Sequence, residues 1–298
     1  MVITKPAKIQ ITKKLEDILN TFNKEIFNKD KKIFVGTIDL GYDERTFIFE
    51  NAITPAFYIN INKKIYIESN YLDFILNNYK NNPELIKELI GNLLHENIHA
   101  ILDTNLKKEN IAIYEGLATL VGDLCKTIVS EYKIDTNNSL EEILEKIGKY
   151  VIEKFKNKEY LRNLEEKLRE EFEKERIIVL LEILKRYDRC IDIPYTSSEI
   201  LKLKQEIEYY VLYKTPSLIL QKNPGILKIL EDLSSKEFPI DKYKEIIFEE
   251  YKNLEGKDLI TNTLECIIYK SSKHNFCYRL LGKLLLSRLS KLKEMLSN

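Results

Sequence analysis

From Tyr71 onward the apolar residues recur almost wholly at helical spacing, and the clearest stretch opens at Asn82-Pro83. Leu85, Ile86, Leu89, Ile90, Leu93, Leu94, Ile98, Ile101 and Leu102 form one side of a 3.6-residue period, a face that must be buried. Asn82 suits an N-cap and Pro83 the first helical position, while Glu84 and Glu88 suit the positive end of the helix dipole. The spacing predicts a helix over about 83–103. A turn over 104–109 then leads to a second helix over about 110–132.

The chain ahead of Tyr71 reads differently. Leu15, Ile18, Leu19, Phe22 and Ile26 predict a helix over 13–27. Between about 32 and 68 the signals are those of strands: Ile33-Phe34-Val35, Thr46-Phe47-Ile48-Phe49, residues 56–61 and residues 64–68. The last two flank Asn62-Lys63, a turn that makes them a hairpin. Downstream, Asp135-Thr136-Asn137-Asn138-Ser139 is a cluster of turn and capping residues and marks a boundary. Ser139 and Glu142 have the spacing of a capping box opening the next helix, and Leu161, Leu164 and Leu168 form a short stripe beyond it. Charge-rich helices over 141–189 make a solvated bundle, a cleft wall or a regulatory cap. Pro194, Pro216, Pro224 and Pro239 divide the remainder into short helices. The fold class expected is α+β: residues 1–134 carry a small mixed or antiparallel sheet with two long helices, and residues 135–298 are all-α.

Composition narrows the partners. Lys and Arg together number 47, as do Asp and Glu, so no global field draws nucleic acid or an anionic membrane. No apolar run spans a bilayer or forms a signal-peptide core, and the expected location is the cytoplasm. Charge-rich, Gln-poor usage is similar to that of proteins from hot-living organisms; the many Asn residues argue the other way, and a biased genome explains the usage equally well. Cys125, Cys190, Cys266 and Cys277 show no metal or redox spacing and read as reduced thiols.

Chemistry concentrates at residues 95–99, His-Glu-Asn-Ile-His. A spacing of four on a helix sets both imidazoles on one face, a turn apart, where they can share one ion. Two His and a carboxylate suit zinc and leave a fourth position open. Glu96 lies about 100° round the helix from His95, placed to accept a proton rather than to coordinate. The chain has three histidines, and two of them fall at this spacing. The third ligand expected is Glu115. It stands about five residues into the second helix, and His99 about four before the end of the first. In an antiparallel pair each contributes roughly 6–8 Å of rise from the turn, so the three would be level.

His95-Glu96-Asn97-Ile98-His99 followed by Tyr114-Glu115-Gly116-Leu117-Ala118 resembles the gluzincins, the thermolysin and aminopeptidase type of zinc peptidase. The resemblance runs from about Ala56 to Asp123 and implies a zincin-like N-terminal part. It implies that His95, His99 and Glu115 hold Zn2+ and that Glu96 is the general base of peptide hydrolysis. Ala56 and Phe57 look like the start of the edge hairpin that binds an extended peptide by strand addition. His274 and Tyr278 are candidates for the donor that steadies the oxyanion, with packing or surface roles as the other reading. Asp103, Thr119 and Asp123 are candidates for orienting the ligands. Asp103 reads equally well as a turn residue and Asp123 as part of a polar face, and Thr119 stands where the family carries an acidic residue. The alternative function is a gluzincin-like regulatory or interaction protein with a structural or latent zinc site.

Overall fold

The computed structural model describes residues 5–40, 55–102, 111–168 and 215–254. The fold is α+β, mostly helical with one three-stranded mixed sheet. In chain order the elements are α1 (Lys5–Phe27), β1 (Phe34–Ile38), β2 (Ala56–Ile59), β3 (Lys64–Glu68), α2 (Ser69–Asn78) and α3 (Glu84–Leu102). There follow α4 (Ile111–Ser130), α5 (Leu140–Lys156), α6 (Thr215–Lys222), α7 (Ile226–Ser234) and α8 (Ile240–Leu254). Residues 158–168 are also helical. No helix among the described residues is long and apolar enough to cross a membrane.

The chain divides into two compact units. One comprises Met1–Asn105, Leu117–Arg162 and Ile226–Phe238; the other comprises Leu106–Gly116, Asn163–Gly225 and Pro239–Asn298. In the first, α1 packs along α5 and also meets β1, α3 and α7. Ile11, Leu15, Leu19 and Phe22 of α1 are buried, each such side chain contributing about 1.5–3 kcal/mol relative to exposure. Phe22 lies edge-on to Phe155 of α5, ring centres 4.9 Å apart, and to Phe27 at 5.3 Å. In the second unit α6 and α8 pack together, with Leu220, Tyr243 and Ile247 buried.

α1 starts at Lys5 rather than near residue 13. Pro6 is compatible with a first helical turn, where no intrahelical donor is needed, and burial of Ile11 holds the added turns. The capping box at Ser139 and Glu142 is present, with Ser139 accepting from the Glu142 N–H and Glu142 from the Ser139 N–H. Leu161, Leu164 and Leu168 are all buried. The segment Thr46–Phe49 lies outside the described residues.

In the sheet β3 is central, parallel to β1 and antiparallel to β2. Ile59 pairs with Lys64, so the connection is residues 60–63 rather than Asn62-Lys63 alone. A two-residue hairpin turn of the favoured type needs positive φ at both positions. Without glycine the loop lengthens, and Lys63 alone takes φ 53°. Val35, Ala56, Ile65 and Ile67 are buried on one face of the sheet, while Phe57 stacks on Tyr66 on the other. At the end of β3 the buried Glu68 caps α2, accepting from the Tyr71 N–H at 2.7 Å.

Candidate metal centre

α3 presents two faces in its last turns. Ile98, Ala100 and Asn97 are fully buried and Glu96 is nearly so, whereas His95 and His99 are half-buried. One helical turn brings the imidazoles together: their Nε2 atoms are 3.2 Å apart, with ring planes at 73°. Glu96 lies beside them, its Oε1 3.9 Å from His95 Nε2. Its other oxygen, Oε2, accepts the backbone N–H of Tyr58 in β2 at 2.8 Å.

Glu115 completes the group. One atom each from His95, His99 and Glu115 lies within 4.8 Å of both others. α4 is one unbroken helix from Ile111 to Ser130, so the seating of its later turns carries Glu115 with them. That seating is close because two glycines meet. A Cβ on Gly122 would lie 3.0 Å from the carbonyl oxygen of Gly91 in α3 and 3.3 Å from the His95 Cβ. Lys126 and Glu88 add an ion pair of 2.6 Å between the same helices. Immediately after Glu115, a Cβ on Gly116 would lie 2.7 Å from the Cβ of Pro216, which accounts for glycine there.

The donor set fits zinc. Four-coordinate zinc with bonds to imidazole of about 2.0–2.1 Å sets two such nitrogens about 3.3–3.4 Å apart, close to the separation seen between His95 and His99. Two nitrogens and one carboxylate oxygen are the borderline-soft set that zinc accepts. No protein-family model, curated protein or solved structure matches the chain.

The remaining sequence-predicted residues lie as follows. Ala56 is buried in β2, at the edge of the sheet. The Glu68 N–H bonds the Pro55 carbonyl, and the Tyr58 N–H turns away from β3 to Glu96. The antiparallel alternation then directs the backbone groups of Phe57 toward Tyr66 and those of Ala56 toward the outer edge. Thr119 is buried one turn after Glu115, and its hydroxyl makes no hydrogen bond among the described residues. Asp123 is half-buried on α4, its carbonyl accepting the Thr127 hydroxyl. Asp103, His274 and Tyr278 lie outside the described residues.

Two contacts lie beyond those expectations. The bond from Tyr58 to Glu96 uses a backbone donor and so leaves no residue signature. Asn97 did leave one: it is a polar residue on the buried side of an apolar helix, a position that demands a partner. The partner is Asn23 of α1.

Proposed function

We propose that this chain is a zinc-dependent metallopeptidase of the gluzincin kind, with a zincin-like grouping of sheet, motif helix and glutamate helix. The observation that carries the proposal is the convergence of His95, His99 and Glu115 on one point with Glu96 beside it. Those three residues hold the metal. When bound, zinc supplies a Lewis acid that polarises a carbonyl and lets water ionise near neutral pH.

The other groups divide the remaining work. Glu96 keeps Oε2 on the Tyr58 N–H and Oε1 on the His95 side, so one oxygen is anchored while the other can take a proton from water and return it to the leaving amine. Burial of Glu96 favours direct transfer over exchange with bulk solvent. The outward backbone groups of Ala56 suit an extended peptide, which pairs with a strand edge through its own main chain. His274 and Tyr278 are the candidates for the oxyanion donor.

Two measurements test the reading. Purified protein should hold close to one equivalent of zinc and lose it in His95→Ala. Hydrolysis of a peptide library should fall by about 10²-fold or more in Glu96→Gln while zinc is retained. A protein without zinc would end the metal reading. A zinc-loaded protein that cleaves nothing across a broad panel would favour a regulatory role instead.

A further inference from the structure

Asn23 and Asn97 form a reciprocal amide pair at the contact of α1 with α3. Asn23 Nδ2 donates to Asn97 Oδ1 at 3.0 Å, and Asn97 Nδ2 donates to Asn23 Oδ1 at 2.7 Å. Both residues are 0 % exposed. Asn97 lies within the motif, two residues from each histidine, so helical geometry turns it about 160° from both imidazoles. Just beyond it, the Lys31 ammonium donates to the Ala100 carbonyl at 2.7 Å. α1 and the chain that follows it therefore grip the back of the turn whose front carries His95 and His99.

An apolar pair would fill this place at least as favourably, because burying two amides gains little beyond satisfying each other. What the amides add is geometry. Leucines in contact tolerate sliding and rolling, whereas two opposed N–H···O bonds hold at one axial position and one rotation. A side-chain tip rides about 5–6 Å from the helix axis, so a roll of about 10° moves it by about 1 Å. Metal–ligand distances tolerate only about 0.2 Å. A single buried polar contact that fixes register is the best-attested use of such pairs.

We propose that Asn23 and Asn97, supported by Lys31, are positioning residues that set the rotation of α3 so that His95 and His99 meet the metal; this rests on the metal reading above. The test uses Asn23→Leu/Asn97→Leu and Lys31→Met in the full chain. Each is followed by urea denaturation of the metal-free protein, Co2+ affinity and the Co2+ visible spectrum. The double variant should match or exceed the wild-type urea midpoint, yet bind Co2+ at least tenfold more weakly with an altered spectrum. Lys31→Met, at a half-buried side chain, should fold normally and bind about threefold more weakly; it decides the matter if the double variant does not fold. Folded variants with wild-type Co2+ affinity and spectrum would overturn the proposal while leaving the metal reading intact. Failure of the wild type to bind Co2+ or Zn2+ would overturn both.

Discussion

One helix, α1, makes two contacts of opposite character. Against α5 its surface is apolar, with Phe22 edge-on to Phe155 and Ile18 pressed against Gly148, and ion pairs join Lys14 to Glu145 and Lys156 to Glu25 at the rim. Against α3 it offers the buried Asn23 amide. The first contact removes hydrocarbon from water without specifying a precise angle. The second specifies an angle and gains little by burial. Within α1, then, the contact with α5 supplies stability through buried volume, and the contact with α3 adds directional bonds to a helix whose apolar side is itself buried in the core.

Glu96→Gln should lower peptide hydrolysis by about 10²–10⁴-fold, the usual worth of a positioned acid–base group, with zinc content and melting temperature unchanged. Loss of zinc along with activity would mean that Glu96 serves the metal site and not the proton. Phe155→Ala should cost about 3–5 kcal/mol in urea unfolding, as large-to-small changes in an aromatic core do. Co2+ affinity of the folded fraction should not move. A coupled loss of affinity would show that the two contacts of α1 are not independent.

Gly122→Ala should sit between these behaviours. The added methyl presses on the Gly91 carbonyl oxygen and the His95 Cβ, and overpacking of this kind costs about 1–3 kcal/mol. Because it spreads α3 from α4, metal affinity should fall with stability; an unchanged affinity would mean that Glu115 follows the histidines when the helices part. The smallest effect should come from Glu145→Gln at the rim. Hydrogen bonds from Lys149, and then from Lys14, hold the Glu145 carboxyl down at about 2, against an ordinary 4.5. A depressed carboxylate adds stability above about pH 4.5 that is lost as pH falls toward 2. The variant should therefore flatten that acid limb in pH-dependent unfolding, leaving metal binding at pH 7 untouched.

Much of the local structure was legible because local rules wrote it. The apolar period marks α3, the serine–glutamate spacing marks the cap of α5, and strand-type residues on either side of Asn62-Lys63 mark β2 and β3. The start of α1 is not legible locally because residues 5–12 carry a weak apolar stripe, and their helix depends on what Ile11 packs against. The hairpin loop is longer than Asn62-Lys63 suggests, because a turn's length is set by the twist of the strands it joins as well as by its own residues. The parallel partnership of β1 with β3 joins residues some thirty apart in the chain, beyond the reach of any local pattern.

Local spacing is enough to put His95 and His99 on one helical face with Glu96 at their side, since a spacing of four in a helix leaves no other outcome. It also names Glu115 as the carboxylate to look for. It takes the packed fold to bring Glu115 within 4.8 Å of both imidazoles, to set a strand N–H on Glu96, and to join Asn97 to Asn23 across 74 residues of chain. Those depend on how closely and at what rotation helices pack. That is a property of the whole core, which no short stretch of residues encodes.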